Sequence, residues 1–186
     1  MDSELVVRAR TGDREAFASL ATATYGRLHR LAQNILGDSD RADDAAQQAV
    51  VDIWRKLPQL RDAERFEAWS YRILVRGCYA QARRDRRWIP GIDATRDEDP
   101  HAAAAITGVV CRDQLERGFR RLPLDQRAVM VLHLYVGLSL REVAEVLEVR
   151  EGTVHSRLSR AKTAMRAALE ADARTTEAMP SPEKVR

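Results

Sequence analysis

The chain has 186 residues, of which 45% are hydrophobic and 32% charged, and its formal net charge is +3. This length and composition suit one or two compact domains. No apolar run approaches the roughly 20 residues that a membrane span needs, and the N-terminal segment lacks the apolar region of a signal peptide. We therefore expect a cytoplasmic protein without membrane insertion. Aromatic residues make up only 5% of the chain, which favours small helical units.

Catalytic and metal-binding signatures are absent from the sequence. Cys78 and Cys111 are too few and too far apart for a disulfide framework or a thiolate metal site. A calcium loop beginning at Asp38 is excluded, because Asp43 and Ala49 stand where glycine and glutamate are required. Phosphate-binding loops, dinucleotide-binding motifs and hydrolase motifs are also missing. We expect no metal, no cofactor and no enzymatic activity.

Apolar residues at spacings of three and four predict three long helices in the first half of the chain. These helices cover about residues 13–36, 40–57 and 64–87, and the apolar pattern of the second helix places Trp54 with the core. Gly37 ends the first of them, Asp38 or Ser39 can cap the second, and Pro58 follows the second. Together they form a first domain, residues 1–87.

The periodicity fails between residues 88 and 108, where prolines, glycines and acidic residues predict a flexible linker. Helical patterns return in a second domain, residues 109–172, and the polar tail, residues 173–186, is predicted to be disordered. Charge follows this division. Both domains carry a basic zone and the linker is acidic, which suggests two nucleic-acid contacts joined by a segment that avoids DNA phosphate.

A helix-turn-helix is the strongest local signal in the second domain. Ser139 and Glu142 predict a capping box, and Ala144 is small where the two helices would cross. The second helix sets an apolar stripe against a polar face. The candidate DNA-contacting residues on and beside that face are Thr153, His155, Ser156, Arg157, Ser159, Arg160 and Lys162. This face is typical of a major-groove reader, with serines and Arg160 at bases and flanking cations at phosphates. A merely solvated helix face is the alternative.

The arginine-rich end of the third helix is a second candidate nucleic-acid contact. Its residues are Arg72, Arg76, Tyr79, Arg83, Arg84, Arg86 and Arg87. Cations at a helix C-terminus are favourable in any protein, which explains some of them. Six arginines with an interleaved tyrosine also suit a single strand, because arginines hold phosphates while the aromatic ring stacks an unpaired base. The acidic and amide-rich helix before it would repel DNA, so we expect that helix to bind protein.

Three blocks in this order resemble the extracytoplasmic-function (ECF) group of bacterial RNA polymerase sigma factors. They read DRADDAAQQAVVDIWRKL, RFEAWSYRILVRGCYAQARRDRR and LPLDQRAVMVLHLYVGLSLREVAEVLEVREGTVHSRLSRAKTAMRAAL. The resemblance covers residues 4–170. It implies an all-α fold of two small helical domains, sigma region two and sigma region four, with the helix-turn-helix in the latter and a flexible linker between them.

The resemblance also assigns a role to each block. The first block would dock on the β′ clamp helices of core RNA polymerase through Asp44, Gln47, Gln48 and Arg55. The second would recognise and open the minus-ten promoter element, and the third would read the minus-thirty-five duplex and touch the β flap. An anti-sigma factor is a further partner of such proteins. Glu148 departs from the family pattern, because a glycine is frequent at this position of the turn.

Two other functions fit parts of the same pattern. A stand-alone helix-turn-helix regulator would occupy DNA without polymerase, but it needs a dimer interface and an effector domain that the sequence does not offer. A helical adaptor that binds only protein would support no transcription from any template. The order and spacing of the three blocks favour a sigma factor that binds core polymerase and directs promoter-specific initiation.

Overall fold

The computed structural model describes residues 3–88 and 107–178, with side chains for residues 3–84 and 114–171. Most of these residues are helical and none of them forms a strand, as predicted. The helices are α1 (Ser3–Arg10), α2 (Arg14–Leu36), α3 (Ser39–Lys56), α4 (Phe66–Trp88), α5 (Thr107–Arg120), α6 (Leu124–Met130), α7 (Leu140–Leu147) and α8 (Glu151–Ala178). None of these helices is long and apolar enough to cross a membrane.

The predicted linker and tail fall largely outside the described residues. Of the linker, the structure places its first residue in α4 and its last two in α5. At the other end, α8 continues to Ala178, past residue 172, where the tail was predicted to begin. Alanine, arginine and glutamate, which make up four of residues 173–178, have high helix propensity.

Local capping sets the helix boundaries of the first domain. Gly37 ends α2 in the left-handed conformation, with φ of 74°. The side chain of Asp38 then accepts a hydrogen bond from the backbone N–H of Arg41 and begins α3. Two 3-10 turns, Leu57–Gln59 and Ala63–Arg65, lead from α3 into α4.

The core of the first domain lies between α2, α3 and α4. Leu20, Leu28 and Ile35 point from α2 into this core, and Phe66 closes it from the start of α4; each is essentially inaccessible to solvent. Burial of one such side chain stabilises a fold by about 1.5–3 kcal/mol. Because the apolar stripe commits one side of α3 to this core, the opposite side of α3 remains exposed to solvent.

The second domain is built around α8, against which α5, α6 and α7 pack. After α6 the chain continues through one π-helical turn, Val131–Tyr135, and Gly137 ends it with φ of 88°. The predicted capping box is confirmed: the hydroxyl of Ser139 accepts from the N–H of Glu142, whose carboxylate accepts from the N–H of Ser139. Ala144 is buried, as expected for a residue at a close helix crossing.

The two domains are packed against each other. Helix α4 contacts α7, α2 contacts α6, and buried side chains of both domains form one continuous hydrophobic cluster. At the end of α2, the guanidinium of Arg127 donates a hydrogen bond to the carbonyl of Leu36 at 3.1 Å. The positive charge sits where the α2 dipole is negative, which stabilises this contact.

Candidate nucleic-acid and protein interfaces

The polar face of α8 is accessible in its central part. Ser159 and Arg160 are exposed, and they lie opposite the buried stripe that contains Val154 and Leu158. Ser156 is half-buried, and its hydroxyl donates to the carbonyl of Thr153 at 2.9 Å. The hydroxyl oxygen of Ser156 retains acceptor capacity, because a hydroxyl has two lone pairs in addition to its one donor.

The basic residues that flank this face differ in accessibility. His155 and Lys162 are exposed, and His155 lies 3.7 Å from the carboxylate of Glu151. Arg157 lies near the apolar stripe, its side chain is only 23% exposed, and its Nε is 3.0 Å from Oδ2 of Asp125. A phosphate could therefore meet His155 and Lys162 directly, whereas it would have to displace Asp125 from Arg157.

Four of the predicted minus-ten residues share one side of α4. Arg72, Arg76, Tyr79 and Arg83 are separated by four, three and four residues, and at 3.6 residues per turn this spacing forms a single stripe. We call these four residues the basic stripe. Arg83 and Arg84 are exposed. The side chains of Arg86 and Arg87 lie outside the described residues.

The beginning of the basic stripe is paired with an acidic residue of the second domain, while the side chains of Arg72 and Arg76 remain 35% and 61% exposed. Oε2 of Glu148 accepts a hydrogen bond from Nη2 of Arg76, and Oε1 of Glu148 is 3.6 Å from Nη1 of Arg72. The hydrogen bond from Arg76 lowers the pKa of Glu148, although partial burial opposes this shift. Sequence reasoning identified Glu148 only as a departure from a family glycine and did not find these partners.

Tyr79 is also partly covered. Its ring packs on the hydrophobic cluster, and its hydroxyl is shielded from solvent without a hydrogen-bond partner among the described residues. Burial raises the pKa of Tyr79, while the nearby charges of Arg157 and Asp125 act on it in opposite directions. The candidate base-stacking residue thus lies close to an arginine from the candidate minus-thirty-five face.

Helix α3 presents the four predicted polymerase-binding residues to solvent. Asp44, Gln47, Gln48 and Arg55 are all exposed. The amide of Gln47 donates to Oδ2 of Asp43 at 2.7 Å, and the hydroxyl of Tyr25 donates to Oδ1 of the same carboxylate. Asp43 is therefore a residue that orients Gln47.

Two apolar residues on α3 were not among the predicted binding residues. Val51 and Trp54 are each 41% exposed, although the helical pattern of the sequence placed Trp54 with the core. One side of the Trp54 ring packs on Phe17 at a centroid distance of 4.4 Å. Exposed aromatic side chains are enriched at protein-binding surfaces.

The sequence matches two families along its length. The family described as Sigma-70 region 2 matches residues 20–88, and the family described as Sigma-70, region 4 matches residues 112–165. The first match contains α3 and all of α4, and the second contains α6, α7 and the exposed face of α8.

Similar proteins extend over nearly the whole chain. The ECF RNA polymerase sigma factor SigM of Mycobacterium tuberculosis is 33% identical over 165 residues, which cover 87% of this chain and 81% of SigM. The RNA polymerase sigma-H factor of Pseudomonas aeruginosa is 30% identical over 181 residues, covering 91% and 94%. The solved complex of CnrH with the cytosolic domain of CnrY aligns with a TM-score of 0.65 and 27% identity, over 92% of this chain and 98% of that chain.

The fold is shared with a further solved protein. The sigma factor RpoE of Bartonella quintana, in complex with the anti-sigma factor NepR, aligns with a TM-score of 0.67 at 24% identity, over 84% of this chain and 98% of that chain. The two region matches, the order of the three sequence blocks and the full-length relatives agree. The chain belongs to the extracytoplasmic-function RNA polymerase sigma factors, which bind core polymerase and direct promoter-specific transcription initiation.

Proposed function

We propose that three helical faces of this sigma factor each bind a different partner. The exposed face of α3 docks on the β′ clamp helices of core polymerase. The basic stripe of α4, with the arginines that follow it, holds the displaced strand of the minus-ten element. The exposed face of α8 reads the minus-thirty-five duplex, and the domain around α8 also contacts the β flap. The observation that carries this assignment is the position of the three faces within the two family matches.

The chemistry of each face supports its partner. An acidic and amide-rich surface with exposed Trp54 suits protein and repels DNA phosphate. Arginines interleaved with Tyr79 suit a single strand, where stacking on an aromatic ring contributes about 1–3 kcal/mol per base. Ser159 and Arg160 can hydrogen-bond to base edges in a major groove, and His155 and Lys162 lie where phosphates would pass.

Melting of the promoter then needs no covalent step by this chain. Free energy for strand separation comes from binding the displaced bases and from contacts with polymerase. We assign the protein to the cytoplasm, together with polymerase, and we assign it no enzymatic activity. The sigma factor RpoE of Bartonella quintana was solved in complex with the anti-sigma factor NepR, which supports an anti-sigma protein as a further partner of this chain.

Binding to core polymerase, measured together with run-off transcription from a promoter template, tests the role of the α3 face. Asp44→Lys should abolish binding to core polymerase, because it reverses a charge in the middle of the α3 face. Glu64→Lys makes the same reversal outside α3 and should leave core binding unchanged. Equal core affinity of the Asp44 and Glu64 variants would refute the role of α3.

The duplex-reading face is tested separately. Arg160→Ala should reduce initiation from promoters with a minus-thirty-five element about 10-fold or more, since one good base contact contributes roughly 1–3 kcal/mol. Arg166→Ala removes the same charge from an exposed position farther along α8 and serves as the matched control. Core binding should stay intact in both variants. Nanomolar occupancy of a palindromic site by the protein alone would instead favour a stand-alone regulator.

A further inference from the structure

The turn of the helix-turn-helix lies on the basic stripe of α4. One carboxylate, that of Glu148, faces both Arg72 and Arg76. A second ion pair lies beside it, where Nη2 of Arg65 is 3.0 Å from Oε2 of Glu145. These pairs join the two domains through arginines of the first and acidic residues of the second.

The backbone conformation of Glu148 also indicates that its ion pairs with α4 matter. Glu148 ends α7 in the left-handed conformation, with φ of 55°, and no other non-glycine residue in the described part of the chain has a positive φ. A side chain costs free energy there, and glycine avoids this cost. The ion pairs of the Glu148 side chain with α4 offset this backbone strain.

The contact between α4 and the second domain extends beyond these ion pairs. Tyr79 is half-buried near the Asp125–Arg157 pair, so the stacking residue and a flanking arginine of the duplex-reading face are both engaged at the junction. Beneath them, buried side chains of α4 and α7, including Leu74 and Val143, belong to the same hydrophobic cluster. The junction is therefore a packed interface and not an isolated surface contact.

We infer that the protein masks its own minus-ten surface: the Glu148 carboxylate occupies Arg72 and Arg76 in place of DNA phosphate, so single-stranded DNA and the helix-turn-helix turn compete for the same arginines. The inference rests on the proposed function in one respect, the assignment of these arginines to DNA. Its consequence is that strand binding requires separation of the two domains. The apparent affinity for a single strand is then lowered by the fraction of molecules that are open.

Fluorescence anisotropy with the full-length protein and a labelled single strand of about 20 nucleotides and mixed sequence tests this competition. Glu148→Gln removes the charge that pairs with α4. Glu151→Gln removes another exposed carboxylate three residues away, one that pairs with His155 and not with α4. We expect Glu148→Gln to bind the strand about three- to tenfold more tightly than the wild type, while Glu151→Gln changes affinity by less than twofold, since exposed ion pairs are individually weak. Equal affinities of the two variants would overturn the inference.

Glu148→Gly provides a second variant that preserves the conformation of the turn, because glycine adopts the positive φ without steric cost. It should bind the strand at least as tightly as Glu148→Gln, and small-angle X-ray scattering should show a larger radius of gyration than for the wild type. An unchanged radius together with unchanged strand affinity would overturn self-masking.

Arg76→Ala in the Glu148→Gln background separates the two hypotheses. Loss of the gained affinity supports both the competition and the DNA role of α4. If Arg76→Ala has no effect in either background, the proposed DNA role of α4 fails, and the inference fails with it. If Arg76→Ala weakens binding but Glu148→Gln never strengthens it, the DNA role stands and only self-masking is refuted.

Discussion

Replacement of Gly37 by alanine should destabilise the protein by about 2 kcal/mol, through two effects that a matched variant can separate. Gly37 ends α2 with φ of 74°. An L-residue in the left-handed region costs about 1 kcal/mol or slightly more relative to glycine. This part of the loss depends only on the backbone.

The second effect comes from the domain junction. A Cβ on Gly37 would lie 3.1 Å from Nη1 of Arg127, the same nitrogen that donates to the carbonyl of Leu36. The guanidinium must move to relieve this contact, and it would weaken or lose a hydrogen bond with a net contribution of about 0.5–1.5 kcal/mol. The two effects together give the figure of about 2 kcal/mol.

Gly137→Ala is the matched control, because Gly137 has φ of 88° and nothing would lie within 4 Å of its added Cβ. Urea unfolding followed by circular dichroism should show a loss of about 1 kcal/mol for Gly137→Ala and about twice that for Gly37→Ala. For a chain of this size the difference corresponds to about 2–4 °C in Tm. Equal losses in the two variants would refute the reasoning, because Arg127 would then contribute nothing at the junction.

Three further predictions concern single side chains. Ser139→Ala should lower stability by about 1 kcal/mol in urea unfolding, because it removes one half of the capping box. Hydrogen bonds from Ser139 lower the pKa of Glu142 below its usual value near 4.5; the stabilisation is therefore complete above the pKa of the unfolded state and is lost as pH falls through the lower folded pKa. The stability difference between wild type and Glu142→Gln, measured across pH 3 to 7, should accordingly shrink at acid pH, and a difference independent of pH would contradict it. Burial raises the pKa of the Cys78 thiol to about 12, so in a Cys111→Ser background Ellman's reagent at pH 8 should react only on unfolding; rapid labelling of the native protein would show that Cys78 is accessible.

The amino-acid sequence was sufficient to predict the helical fold and several of the helix boundaries. Helical periodicity, the glycine after α2 and the capping box at Ser139 are interactions between residues a few positions apart, so their signals lie in short windows of sequence. The exposure of Ser159, Arg160 and the predicted residues of α3 followed from the same periodicity. Trp54 shows where prediction from periodicity ends. The pattern places this residue near a buried stripe, but it does not reveal how much of the large ring the neighbouring helix covers.

Tertiary structure decided which of the candidate contacts are accessible. Arg72 and Arg76 are separated from Glu148 by more than 70 residues, and no local pattern pairs an arginine with one distant acid rather than another. The same holds for Arg157, whose partner Asp125 belongs to another helix. The sequence by itself therefore determined the helices, their apolar stripes and the kinds of group on each polar face. Only the packing of the two domains decided that part of the minus-ten face is covered, because that depends on distances in space between segments that are far apart along the chain.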